Sequence, residues 1–174
     1  MAVANCHKMP AATFDEFEMD SSEVSASIKD TIDTIRSVNR RAKIIFTVSP
    51  IRHTGYGLHE NMLSKAALLV GLHKVLKKHP KSTVYFPAFE IMMDDLRDYR
   101  FYAEDMKHPS AVAVDYIYDI FTESFMSVDT RTTAFDSRSF TRRMNHRPLS
   151  MSPEAVSTEL ATRRAVSYTH LTLP

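Results

Sequence analysis

The stretch KIIFTVS, residues Lys43–Ser49, decides the fold class of this chain. Apolar and β-branched side chains fill it and Pro50 ends it, which is typical of a short strand buried on both faces, as in a parallel sheet. A second short strand, TVYFP, is predicted at Thr83–Pro87. The long amphipathic segment between the two predicts a helix, so the pattern indicates a strand–helix–strand crossover.

Three helices are predicted around these strands. Apolar residues recur at steps of three and four after Asp20, which predicts a helix over Glu23–Asn39. Asn61 is predicted to cap a second helix that runs to about Lys78, and Ser110 to cap a third. This order of elements indicates an α/β layered fold with a parallel sheet. Because two strands are too few for a stable sheet of this kind, we expect the chain to be part of a larger domain.

Composition excludes several classes of protein. The 22 basic and 21 acidic residues give a net charge of +1, which favours neither a nucleic-acid partner nor a membrane surface. Cys6 is the single cysteine, so an intrachain disulfide and a cysteine-rich zinc site are excluded. Three glycines are too few for a Walker loop or a dinucleotide-binding turn, and no cofactor is expected. No apolar run reaches the ~18 residues of a membrane span, and Met1–Lys8 has no signal-peptide core, so a cytoplasmic location is expected.

The chain is expected to divide into three parts. Residues 1–126 are predicted to form the α/β domain, and residues 127–165 an arginine-bearing C-terminal extension. From residue 127 onward the chain has seven arginines, no lysine and four acidic residues, which fits either a helical extension packed on the domain or a loosely ordered tail. Residues 166–174 (VSYTHLTLP) follow no periodic pattern and resemble a read-through peptide at the end of conceptual translations, so they are predicted to be non-native.

Asp105 and His108 form the most informative short pattern for chemistry. An Asp three residues before a His, in a loop ahead of a helix, can accept the imidazole Nδ1 proton and leave Nε2 free as a general base. The spacing by itself is weak, because a chain with eight histidines produces such pairs by chance. A solvated loop pair is the plainer interpretation.

The segment SPIRH follows the first predicted strand, where α/β sheets bind ligands. Ser49 is a candidate nucleophile, although a serine at that place is more often a turn residue. Arg52 is a candidate for holding a carboxylate or phosphate oxygen, or else a partner in a surface ion pair. With His53, these residues are candidates for lining a pocket.

Polar and reactive residues also cluster near the start of the chain. Asn5 is a candidate donor to an oxyanion, and His7 a candidate proton carrier or ligand. Cys6 is expected to be a buried, inert thiol. A metal site from His7, His53, His59, His108 and Asp105 has no supporting ligand spacing, so none is expected.

Several long segments carry a resemblance to a known family. The sequence is similar to the GSCFA-domain family, a mainly bacterial family grouped with the SGNH (GDSL-like) hydrolases, over about residues 3–150. The segments that carry it are VANCHK (Val3–Lys8), IIFTVSPIRH (Ile44–His53), ENMLSKAALL (Glu60–Leu69), YFPAFEIMMDDLRDYRFYAEDMKHPS (Tyr85–Ser110) and AVDYIYDIF (Ala113–Phe121).

The resemblance implies a three-layer, flavodoxin-like α/β fold and ester hydrolysis by a Ser-His-Asp arrangement. Asp105 and His108 match the D-x-x-H block of the superfamily, which implies that His108 is the general base and Asp105 its orienter. The G-S-C-F-A block that names the family, with its presumed nucleophile, does not occur in this sequence. The chain therefore resembles the C-terminal part of such a domain, truncated at its N-terminus.

These observations lead to one main expectation and two alternatives. The protein is expected to be an SGNH-type esterase acting on an O-acyl ester of a small molecule or carbohydrate, with this chain inactive or nearly so without the nucleophile block. A non-catalytic module that binds its ligand with the SPIRH and DMKHP loops is the first alternative. Metal-assisted hydrolysis at the histidines is the second.

Overall fold

A computed structural model describes residues 9–145, together with residues 154, 156–157 and 160–161. The chain divides into two compact units, Met1–Ile117 and Tyr118–Pro174, and the division falls inside a helix. Within the described residues the elements are helices α1 (Ser21–Val38), α2 (Leu58–Leu76), α3 (Ala88–Asp94), α4 (Ala111–Phe125) and α5 (Val128–Asn145), strands β1 (Ile44–Thr47) and β2 (Thr83–Phe86), and short 3₁₀ turns at Ala11–Thr13, Thr54–Tyr56 and Tyr99–Phe101.

Strands β1 and β2 pair in parallel, as the sequence predicts, with Ile45 opposite Val84. The fold is therefore α/β with a two-stranded parallel sheet in the described residues. The prediction that β1 is buried on both faces is wrong. Ile45 is 40% and Val84 41% exposed, because they share a face of the sheet that the described residues leave largely uncovered.

Helix α1 begins at Ser21, two residues before the predicted start, with Asp20 as its N-cap. The Asp20 side chain accepts hydrogen bonds from the amides of Ser22 and Glu23, and the Glu23 carboxylate accepts one from the Asp20 amide. This reciprocal capping box satisfies amides that the first helical turn leaves free, and such caps contribute about 1 kcal/mol.

Helices α1 and α2 pack closely at Gly71. The Ser25 hydroxyl donates to the Gly71 carbonyl oxygen at 2.9 Å. A Cβ atom at residue 71 would lie 2.7 Å from Val24 Cγ1 and 2.8 Å from the Ser21 carbonyl oxygen, so the interface has no room for a side chain there.

The prediction that Asn61 caps α2 is wrong, because the helix begins one turn earlier at Leu58. Gly57, with a φ of 114°, takes the N-cap position, and Asn61 is buried inside the helix. Ser110 does cap α4, since its hydroxyl accepts a hydrogen bond from the Ala113 amide at 3.3 Å.

A small core joins α3 to α4. Met92, Leu96 and Ala113 are buried, and Phe101, Tyr102 and Ile117 pack against them. Tyr102 packs against this cluster and bridges Pro109, so burial of apolar surface holds the base of the segment that carries Asp105 and His108.

In the second unit, α5 shows that the arginine-bearing extension is helical over Val128–Asn145. Arg138 contacts Asp119 at 3.3 Å and lies 4.9 Å from the centre of the Tyr118 ring. Residues 166–174, predicted to be non-native, lie outside the described residues. None of the helices described here combines the length and apolar character needed to cross a membrane.

Candidate functional site

The segment between α3 and α4 folds back on itself. Tyr102 and Pro109 form an isolated antiparallel bridge, and the Ala103 amide donates to the His108 carbonyl oxygen at 2.8 Å. At the tip, Met106 adopts the left-handed conformation with a φ of 59°, an uncommon one for a residue with a side chain. The chain reverses there, which brings Asp105 and His108 to the same side of the loop.

Asp105 and His108 are in direct contact. His108 Nδ1 lies 2.5 Å from Asp105 Oδ2. Asp105 Oδ1 accepts hydrogen bonds from the amides of Lys107 at 2.9 Å and of His108 at 3.0 Å. Because an ionised carboxylate can only accept, the contact places the imidazole proton on Nδ1 and leaves Nε2 with its lone pair in the neutral ring.

The electrostatics of the pair keep the Asp105 carboxylate ionised. The His108 amide, then the Lys107 amide, then the imidazole lower its pKa well below the ordinary value of 3.8. The two side chains are open to solvent, 57% exposed for His108 and 46% for Asp105. A ligand can therefore reach the imidazole without rearrangement of the loop.

The His108 ring has no hydroxyl or metal-binding partner among the described residues. Within the part of the chain that the structure describes, no serine or threonine hydroxyl makes a hydrogen bond with the His108 ring. The same residues contain no group of three or more His, Cys, Asp or Glu side chains arranged to bind a metal ion. The candidates Asn5 and His7, with Cys6, lie outside the described residues.

The SPIRH segment meets this loop through Arg52. The Arg52 amide donates to the Lys107 carbonyl oxygen at 3.1 Å. The Arg52 guanidinium lies 4.0 Å from the centre of the Tyr102 ring and 5.6 Å from that of Tyr99, which is stacking distance for a cation on an aromatic face. Within the described residues, no carboxylate forms an ion pair with this guanidinium.

Ser49 and His53 lie at the two ends of the same segment. The Ser49 hydroxyl accepts a hydrogen bond from the Ile51 amide at 3.2 Å, the arrangement of a turn residue. His53 is exposed and lines a cavity of about 760 Å³ together with Phe17, Tyr56 and other residues of the first unit. Neither Arg52 nor His108 lines that cavity.

Sequence reasoning missed two buried polar residues of α2. Asn61 is 8% and Lys65 4% exposed. The Asn61 Oδ1 atom accepts from the His53 amide at 2.8 Å, and Lys65 Nζ donates to the Ser49 carbonyl oxygen at 2.6 Å. Burial lowers the pKa of Lys65. The available signal was their spacing, since positions 61, 65 and 72 share the buried face of α2.

A second missed pair lies where β2 runs into α3. The Tyr85 hydroxyl contacts both carboxylate oxygens of Glu90, at 3.0 and 2.8 Å. Burial, followed by this hydrogen bond, raises the pKa of the Tyr85 phenol well above its ordinary value of 10.0. No sequence motif points to this pair.

Comparison with known proteins gives one result. The model of the GSCFA family matches residues 1–121, which include both the SPIRH segment and the Asp105–His108 loop. No curated protein and no solved structure gives a significant match.

Proposed function

Because the chain belongs to the GSCFA family, we propose that it supplies the base and orienter of an SGNH-type serine esterase that acts on an O-acyl ester. The observation that carries the proposal is the 2.5 Å contact between Asp105 Oδ2 and His108 Nδ1. The three-layer flavodoxin-like arrangement belongs to the same proposal. The parallel pairing of β1 and β2 is consistent with it.

In the proposed reaction a serine hydroxyl attacks the acyl carbonyl carbon, and His108 Nε2 takes the hydroxyl proton. The negative carboxylate of Asp105 stabilises the imidazolium that forms. When the tetrahedral intermediate collapses, the ester C–O bond breaks and His108 returns the proton to the leaving alcohol. Water then attacks the acyl-serine by the same proton transfers, which releases the acid and restores the serine.

The proposal assigns the serine to the G-S-C-F-A block that names the family. The present sequence does not contain this block. The chain by itself is therefore expected to be inactive or nearly so. The substrate is an acyl ester of a small alcohol or carbohydrate hydroxyl.

The test is His108→Ala in a gene product that carries both this chain and the block. The expected result is a loss of about 10²–10⁴-fold in kcat on p-nitrophenyl acetate, the usual contribution of a general base. His73→Ala, which changes an exposed histidine of α2, is the matched control and retains activity. Retained activity in His108→Ala would refute the assignment, and loss of activity on adding a chelator would favour metal-assisted hydrolysis.

A binding module without catalysis is the second candidate. The contact between Arg52 and Lys107 favours it, because it places a guanidinium and two tyrosine rings beside the His108 loop. In that case acetylated oligosaccharides bind to the chain without turnover. Arg52→Ala then weakens the binding of the oligosaccharide. The oligosaccharide is recovered with its acetyl groups intact after incubation with either the wild type or His108→Ala.

A further inference from the structure

Helix α2 directs two buried polar side chains at one loop. Asn61 and Lys65 are four residues apart and lie on the same face of the helix. Lys65 Nζ donates to the carbonyl oxygen of Ser49, the first residue of the loop, at 2.6 Å. Asn61 Oδ1 accepts from the amide of His53, the last residue of the loop, at 2.8 Å. Both ends of the loop are therefore attached to one turn of α2.

The middle of this loop contacts a single peptide group of the His108 loop. The peptide that joins Lys107 to His108 accepts from the Arg52 amide through its oxygen at 3.1 Å. Through its N–H, the same peptide donates to Asp105 Oδ1 at 3.0 Å. Because a peptide group is planar, hydrogen bonds at both of its ends restrict the orientation of the unit that leads into His108.

The burial of Lys65 needs an explanation, since an ammonium group removed from water is costly unless it is paired. No described carboxylate forms an ion pair with Lys65. The ammonium group also lies near the Phe89 ring, whose centre is 5.8 Å from Nζ. Among the described residues, the contact with the Ser49 carbonyl oxygen is thus the hydrogen bond that the buried charge makes.

We propose that Lys65 and Asn61 are positioning residues, which hold the Ser49–His53 loop against the 107–108 peptide and so orient Asp105 and His108. The catalytic consequence rests on the proposed esterase function. The structural consequence does not, because it concerns the protection of two backbone amides.

The test compares Lys65→Met with Lys74→Met in the full chain by amide hydrogen exchange. Methionine keeps an unbranched side chain one atom shorter than that of lysine and removes the donor. Lys74 lies on the same helix, is exposed and contacts Ser21 Oγ at 3.2 Å, so it serves as the matched control. We expect exchange of the Arg52 and His108 amides to accelerate at least about tenfold in Lys65→Met and to stay unchanged in Lys74→Met.

Unchanged protection of both amides in a folded Lys65→Met protein overturns the proposal. If that variant does not fold, Asn61→Leu is measured in the same way, and unchanged protection there has the same meaning. In an active gene product, a positioning role lowers kcat and leaves KM nearly unchanged, and Lys65→Arg restores part of kcat. If amide protection is lost in Lys65→Met and the gene product that carries both this chain and the G-S-C-F-A block has no esterase activity, the positioning role is supported and the proposed function is refuted.

Discussion

The amide of Arg52 donates a hydrogen bond to the carbonyl oxygen of Lys107, 55 positions further along the chain, at 3.1 Å. This bond joins the loop after β1 to the loop before α4. Each loop alone carries only candidate residues, whereas together they place a guanidinium, two tyrosine rings and an oriented imidazole in one region of the first unit. Predictions about this region can therefore be tested at either loop.

Replacement of Asp105 by Asn keeps an oxygen for the Lys107 and His108 amides but removes the second acceptor oxygen, which contacts His108 Nδ1. If the pair acts as proposed, the kcat of the active gene product that carries both this chain and the G-S-C-F-A block falls by about 10⁴-fold, the loss known when an orienting aspartate of a serine triad becomes Asn. Asp98→Asn is the control, because Asp98 makes a similar contact with the Arg100 amide outside the pair. Equal activities of the two variants would contradict the assignment.

Acid titration of the loop reports the lowered pKa of Asp105. Amide hydrogen bonds stabilise the ionised form in the folded protein, so their stabilising effect is complete above the ordinary carboxyl pKa of 3.8. The stabilising effect is lost only as the pH falls through the lowered pKa that Asp105 has in the folded protein. The amide proton shifts of Lys107 and His108, followed by NMR, should have midpoints well below 3.8. Midpoints at or above that value would show that the contacts do not persist in solution.

The lowered pKa of Lys65 predicts that the stability of the folded protein changes at alkaline pH. Burial lowers its pKa from the ordinary 10.5, so between the lowered value and 10.5 the unfolded chain binds more protons than the folded one. Stability from this group consequently rises with pH in that window. The free energy of unfolding of the wild type, measured in urea, should increase relative to that of Lys65→Met as the pH approaches 10.5. If the unfolding free energies of the wild type and of Lys65→Met change with pH in the same way, Lys65 is exposed to water in the folded protein.

Gly71→Ala tests the packing of α1 on α2. In an exposed helix this change stabilises by about 1 kcal/mol. Here the new Cβ would meet the Ser21 backbone at 2.8 Å, so we expect a net loss of about 1–2 kcal/mol of unfolding free energy. Gly55→Ala is the control, since nothing lies within 4 Å of a Cβ at that position. Thermal denaturation of both variants measures the difference, and a stabilised Gly71→Ala protein would disprove the close approach.

Met92→Ala tests the apolar core at the base of the His108 loop. Met92 is 1% exposed and packs with Leu96 and Tyr102. Its truncation should reduce the free energy of unfolding by about 2–5 kcal/mol through lost burial and a cavity. Met62→Ala, at a residue 49% exposed, should cost much less. A similar loss in both variants, measured by chemical denaturation, would show that this cluster is not the core of the unit.

Part of the site followed from sequence because it is local. The Asp105–His108 contact spans three positions, so one turn of the chain suffices to form it. The start of α1 is likewise local, since the capping box of Asp20 and Glu23 closes within the first helical turn. The role of Asn61 was not predictable in this way. An Asn before an apolar run looks like a cap, and only the β1–α2 loop shows that its acceptor is used by His53.

The sequence by itself determined the α/β class, the parallel pairing of two short strands and the family to which the chain belongs. These features depend on hydrophobic periodicity and on contacts between near neighbours in the chain, and both can be read from the order of the residues. Tertiary structure alone decided that Lys65 is buried on the Ser49 carbonyl and that Arg52 reaches Lys107. Those contacts join residues 16 and 55 positions apart, and their free energy is gained only after packing has brought α2 and both loops together.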